Sequence, residues 1–278
     1  MTERRIEANG LTFRILDDGN PDAPPVLLLH GFPDDAGLWR HQIPALVEAG
    51  YRTIAPDLRG FGQSDRPEDL EAYALPVLLE DVRGWLEALG LDRVRLVVHD
   101  WGAVIGWLFA AAHPDRVERM AVFSVGYQRR RPSVEEAEKY WYIFLFQLRG
   151  YAEHALSRND WKLMREWLRQ GMPGESPDLR RSLEALARPG ALTAGLSYYR
   201  AIAQPEVFME DEIPVPPVEC PVLAMWGEHD LLPESRVTIS AENVAGPWRY
   251  ERLGGLGHWM MLEDPARVNA LLLEFLAG

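Results

Sequence analysis

Cysteine is nearly absent. Cys220 is the only one in 278 residues, so no disulfide can form within the chain, and a cysteine-rich metal site is excluded. Positive charge is also short. Against 42 Asp and Glu stand 29 Lys and Arg, a formal net charge of −13. A field of that sign repels phosphate backbones and anionic headgroups, so nucleic acid is not an expected partner. No apolar run approaches the roughly 20 residues needed to span a bilayer, and stretches such as residues 26–29 are far shorter. The start, MTERRIEANG, lacks the basic region, apolar core and small-residue cleavage site of a secretory leader. These absences lead to the expectation of a cytoplasmic protein, with no membrane span and no cofactor or metal.

What is present is enough for a large core: 47% of the residues are hydrophobic and 26% charged, which suits one α/β domain carrying an insertion. Asn9-Gly10 supplies a tight hairpin turn between strands at residues 5–8 and 11–16. Residues 26–29, Val-Leu-Leu-Leu, show no polar alternation, as expected of a strand buried on both faces. Helix at 39–48, strand at 52–56, helix at 78–89, strand at 94–98, helix at 102–112 and strand at 120–124 then alternate. That rhythm predicts a mostly parallel central sheet flanked by helices. It breaks over residues 128–217, where aromatic and charged residues recur at helical spacing, with loops at Met172-Pro173-Gly174 and Arg188-Pro189-Gly190. Strands at 222–226 and 248–253 resume the pattern, and a helix over 265–276 closes it through Val268, Leu271, Leu272 and Phe275. The predicted organisation is a core of residues 1–127 and 218–278 with an inserted helical cap at 128–217.

Reactive groups of a doubly wound sheet gather at the carboxyl ends of its strands. Three candidates sit there: Asp100 in Val98-His99-Asp100-Trp101-Gly102, Asp230 in Gly227-Glu228-His229-Asp230, and His258 after Gly254-Gly255-Leu256-Gly257. The order nucleophile, acid, histidine is that of α/β-hydrolases, and residues 98–102 stand where their G-x-S-x-G elbow would be. Gly102 meets the need for a small residue two positions past the nucleophile, whereas Val98 replaces the first glycine. No complete G-x-S-x-G occurs, so serine esterase chemistry has no nucleophile. His99 and His229 read as supports for their loops, and an aspartate such as Asp100 would, without this context, read as a helix N-cap.

Together with His30-Gly31-Phe32-Pro33 and the block Asp57-Leu58-Arg59-Gly60-Phe61-Gly62-Gln63-Ser64-Asp65, the chain resembles the epoxide hydrolase and haloalkane dehalogenase branch of the α/β-hydrolase fold, essentially from end to end. The resemblance implies a small apolar epoxide and water as partners, opened to a vicinal diol. It implies Asp100 as a nucleophile forming an ester, His258 as the base that activates water, and Asp230 orienting His258. The backbone N–H groups of Phe32 and Trp101 would form the oxyanion hole, with His30 and Pro33 beside the substrate. Tyr142 and Tyr199 match the tyrosines that protonate the opened ring, with Tyr140 and Tyr198 close by in sequence.

A dehalogenase would share Asp100, His258 and the Trp101 indole but needs a second halide donor. Many carry Asn where Phe32 stands, leaving Trp141 as the substitute. Fluoroacetate dehalogenases share the 30–33 motif, but arginines follow their nucleophile where this chain has Trp101 and Ile105. A non-catalytic binding member of the fold would not need Asp100, Asp230 and His258 together.

Overall fold

The computed structural model describes residues 1–128, 131–171, 177–204, 206 and 214–278; the loop expected at Met172-Pro173-Gly174 lies outside them. Eight strands form one sheet: β1 (Glu3–Ala8), β2 (Leu11–Asp18), β3 (Pro25–Leu29), β4 (Arg52–Pro56), β5 (Val94–His99), β6 (Val117–Phe123), β7 (Val222–Gly227) and β8 (Trp248–Leu253). Their order is β1-β2-β4-β3-β5-β6-β7-β8. β1 and β2 pair as the antiparallel hairpin that Asn9-Gly10 predicts, β2 meets β4 antiparallel, and the pairings from β4 through β8 are parallel. Val26–Leu29 on β3, and Val94, Leu96, Val97 and Val98 on β5, are sealed from solvent. Unbroken apolar runs are what parallel strands covered on both faces require.

The crossovers are α1 (Gln42–Glu48), α2 (Leu75–Ala88) and α3 (Trp101–Ala112), and a last helix over Pro265–Ala277 closes the chain. The single helix expected at residues 39–48 is in fact two pieces, a 3-10 turn at Ala36–Trp39 followed by α1. The Asp35 carboxylate accepts from the Gly37 N–H at 2.8 Å and starts the turn early. Pro44, which has no N–H, fits only in the first turn of a helix, so α1 restarts at Gln42. Between β6 and β7 come α4 (Val134–Lys139), α5 (Trp141–Phe146), α6 (Tyr151–Leu168), α7 (Pro177–Leu186) and α8 (Ala191–Ile202), with α6 broken at residues 158–161. None of the described helices is long and apolar enough to cross a membrane.

The strand order reverses at β3, which lies between β4 and β5, and a crevice opens at the carboxyl ends where it does. Two glycines let the chain close that crevice tightly. A Cβ on Gly102 would stand 2.4 Å from the carbonyl oxygens of both Leu29 and His30, and one on Gly31 would stand 2.2 Å from Asp100 Oδ1. Val98, at the position where a small residue was expected, is accommodated by Gly106 one turn into α3, whose absent side chain leaves room for the Val98 methyls.

Replacing Gly102 by Ala should destabilise the fold by about 3 kcal/mol or more, roughly 6–12 °C in the thermal midpoint for a chain of this size. Gly106→Ala, which meets Val98 Cγ1 at 2.8 Å, should cost clearly less, because a valine methyl can move where two backbone carbonyls cannot. Calorimetry on both variants checks the ranking, and equal shifts would contradict it.

Candidate active site

Asp100 leaves the end of β5 as the N-cap of α3 with φ +50° and ψ −121°, a conformation that costs a non-glycine residue of order 1–3 kcal/mol. The turn aims the carboxylate back over β3, where Oδ1 accepts the Phe32 N–H at 2.7 Å. The Trp101 N–H, at the start of α3, is directed at the same carboxylate. Oδ2 lies 3.8 Å from His258 Nε2. His258 Nδ1 stands 2.8 Å from Asp230 Oδ1, which also accepts the Leu232 N–H at 2.9 Å. Ser124 donates its hydroxyl to Asp230 Oδ2 at 2.6 Å. With both oxygens occupied, Asp230 cannot rotate away from the imidazole.

The electrostatics follow from this geometry. Burial alone would raise the Asp100 carboxyl, but His258 and the Trp101 N–H outweigh it and hold the pKa below the usual value. Burial likewise pulls the His258 imidazolium down, yet the Asp230 charge and the Asp100 carboxylate lift it from 6.5 to about 10. The resting site is therefore a cation between two carboxylates. His99 behaves oppositely. Burial, with the adjacent His258 charge, presses its pKa to about 3, so it stays neutral and its Nε2–H donates to the His258 carbonyl at 3.0 Å.

A cavity of about 290 Å³ stands over Asp100, and both Tyr142 and Tyr199 line it, as do Trp101 and Tyr140. Burial, reinforced by the Asp100 charge, drives both Tyr142 and Tyr199 well above the usual phenol value, so each keeps its proton. Tyr198 instead turns to the core, donating its hydroxyl to the Arg59 carbonyl at 2.8 Å, while Arg236 lies over the ring of Tyr140. Below, Asp100, His258, Phe32, Tyr142, Tyr199 and Trp167 meet around a nook of about 10 Å³, room for about one water molecule.

Two residues expected beside the substrate lie away from both spaces. His30 is sealed from solvent, its Nε2 accepting the Leu58 N–H and its Nδ1–H directed at the Gly31 carbonyl, each at 2.9 Å. It and Pro33 border neither space just described, whereas Phe32 borders the nook. Sequence reasoning missed Ser124, Gly171 and Asp34. Ser124 follows β6 with φ +69°, at the same sheet edge as the three candidates, a position that could have flagged it. The Gly171 carbonyl accepts the His258 N–H at 3.0 Å. Asp34, pushed up to about 6 by burial, accepts the Trp259 indole N–H at 2.8 Å and the Ser182 hydroxyl at 3.3 Å.

Residues 24–265 match the family described as alpha/beta hydrolase fold. The chain belongs to that family. It is 36% identical to epoxide hydrolase A of Mycobacterium tuberculosis, covering 100% of this chain and 98% of the relative. With epoxide hydrolase 3 of Xenopus tropicalis the identity is 34%, over 98% of this chain and 76% of the relative. Among solved structures, epoxide hydrolase A of Mycobacterium thermoresistibile superposes with a TM-score of 0.82 at 32% identity, covering 100% of this chain and 98% of the other. The Bacillus megaterium epoxide hydrolase bound to an inhibitor superposes at 0.87 and 29% identity, over 99% of this chain and 100% of the other.

Because the folded pKa of His258 lies above its unfolded 6.5, the stability this α/β hydrolase draws from it is complete below pH 6.5 and lost as pH rises toward about 10. Urea unfolding across that window should show wild type losing stability by an increment that His258→Gln does not lose. Parallel curves for the two proteins would refute the assignment.

Proposed function

We propose that this enzyme is an epoxide hydrolase, converting an epoxide to a vicinal diol through an ester on Asp100. The observation that carries this reading is the convergence of one carboxylate, two protonated phenols and one imidazole on a single nook, with the carboxylate and both phenols also lining the cavity beside it. In the first step Oδ2 attacks a ring carbon while Oδ1 stays on the Phe32 N–H. The ring C–O bond breaks, and the departing alkoxide takes a proton from Tyr142 or Tyr199. Without a phenol at that point, the new charge would be stranded among aromatic walls.

Ester formation removes the Asp100 charge, and with it one of the two anions that held His258 protonated. Its proton affinity falls, the imidazolium hands its proton to the phenolate, and the neutral imidazole left behind is able to deprotonate water. Hydroxide adds to the ester carbonyl carbon, placing negative charge on Oδ1, where the N–H groups of Phe32 and Trp101 receive it. Collapse passes the proton of the added hydroxyl to the departing alkoxide, which releases the diol and restores the carboxylate beside a His258 protonated again by the water it split. Residues 128–217 act in this scheme as the cap that brings both tyrosines over the core.

The dehalogenase alternative asks for a second halide donor beside the Trp101 indole. Trp141 borders a different, acidic cleft with Glu135 and Glu138, and the Phe32 side chain has no donor to offer. Both facts support the epoxide reading.

Incubating His258→Gln with styrene oxide should leave a covalent adduct that peptide mass mapping assigns to Asp100, while diol release stops. Continued turnover, or an adduct elsewhere, would sink the scheme. Replacing both Tyr142 and Tyr199 by Phe should lower the rate of adduct formation by 10²–10⁴-fold, the usual worth of a positioned acid, with the circular dichroism spectrum unchanged. Near-wild-type alkylation in stopped flow would remove the phenols from the mechanism.

A further inference from the structure

The cavity over Asp100 does not end at the proposed reacting groups. Val104, Gly126, Gln128 and Ile202 border both it and a second chamber of about 630 Å³, more than twice its volume of about 290 Å³. Two helical tracks lead from one to the other. On α3, Trp101 lines the first space, Val104 both, and Leu108 the second alone. These positions are three and seven residues apart and share one helix face. On α8, Tyr199 lines the first space, and Ile202, one turn on, lines both. Leu75 and Pro76 at the start of α2, with Val215 and Pro216, form the remaining wall.

Among the described residues the chamber offers no partner for a charge. Its described lining includes no Asp, Glu, Lys, Arg or His. Two of its polar side chains are already spent on backbone: the Trp107 indole N–H donates to the Val125 carbonyl, and the Tyr127 hydroxyl to the Pro216 carbonyl, each at 2.9 Å. The separate cleft of about 310 Å³ that reaches Tyr142 and Asp230 is of opposite character, carrying Glu135, Glu138 and Lys139.

Resting on the epoxide-hydrolase reading, we infer that the substrate is an elongated, uncharged epoxide whose alkyl chain lies along α3 from Asp100 into this chamber. Burying each methylene there removes apolar surface from water. A carboxylate at the end of the same chain finds no partner among the described residues and keeps its desolvation penalty. The seven residues from Trp101 to Leu108 span about 10 Å. At carbon–carbon bonds of about 1.5 Å laid zigzag, that is roughly eight carbons beyond the ring.

The test is kcat/KM over 1,2-epoxybutane to 1,2-epoxydecane below saturation, with 10,11-epoxyundecanoate as the anionic counterpart. The expected rise is about two- to fourfold per added methylene, the upper figure corresponding to about 0.8 kcal/mol per buried methylene. The carboxylate should fall at least tenfold below the neutral decane. Leu108→Trp, which obstructs the chamber along α3, should cut the decane-to-butane ratio at least tenfold. A flat series, or a carboxylate as good as the neutral chain, overturns the inference. Binding of 1,2-decanediol against 1,2-butanediol by calorimetry reads the chamber without turnover. Tighter decanediol binding with no epoxide opened would sink the proposed activity and leave the chamber standing, whereas turnover with equal diol affinities would do the reverse.

Discussion

Burying a carboxylate in a crevice walled by aromatic rings is unfavourable by several kcal/mol unless its charge is matched, and the arrangement around Asp100 follows from that requirement. Phe32 N–H holds one oxygen at 2.7 Å and the His258 imidazolium faces the other at 3.8 Å. The imidazolium is itself stable only because Asp230 lies behind it, with both carboxylate oxygens accepting hydrogen bonds. Close approach of β3 to the turn after β5 is the backbone condition for all of this, which is why no side chain fits at Gly31 or Gly102. In the proposed reaction the same balance becomes the trigger. Esterification of Asp100 removes one anion, and the histidine that had been an acid is left as a base.

Much of this was legible in the chain because parallel strands leave a coarse signal. Val26–Leu29 and residues 94–98 are apolar at every or nearly every position, and the residues that follow them stand at the sheet's carboxyl edge whatever the details of packing. Gly102 could be read for the same reason, since the turn demands it locally. Gly106 could not, because its role exists only through Val98 on the neighbouring strand. Ser124 and Gly171 are of the same kind, the first reaching Asp230 across 106 residues and the second reaching His258 from within the helical insertion. The motif at 30–33 was harder to read residue by residue: the resemblance implied His30 and Pro33 beside the substrate, but the fold spends the His30 ring on the backbone, and of the three it is Phe32 that borders the nook.

The helices between β6 and β7 meet the core through two kinds of contact of unequal weight. Arg40 pairs with Asp178 at 2.6 Å, and Arg181 pairs with Asp35. Both pairs are partly solvated, and such pairs contribute about 0–1 kcal/mol each. The aromatic contacts count for more. The Phe32 ring has centroid separations of 5.7 Å from Tyr199, 6.1 Å from Phe146 and 6.1 Å from Trp167. Edge and tilted pairs of this kind are worth about 0.5–1.5 kcal/mol apiece beyond the area they bury. α8 comes this near because Gly195 has no side chain to meet the Phe32 ring, which a Cβ there would approach to 2.7 Å.

Phe32 thus has two separable duties, its N–H on Asp100 and its ring at the centre of the aromatic contacts beneath the insertion. The consequence is mechanical. Any shift of α5, α6 or α8 that displaces Phe146, Trp167 or Tyr199 bears on the Phe32 ring, and through its backbone on the hydrogen bond that orients the proposed nucleophile. Asp34 adds a second tie of the same sort, since its carboxylate joins Ser182 on α7 to Trp259, the residue after His258. Movement of the insertion is therefore transmitted to the carboxylate and to the histidine together. An enzyme whose two proposed phenols reside on the insertion and whose carboxylate and imidazole reside on the sheet needs that linkage, because all four groups must be in register before the ring can open.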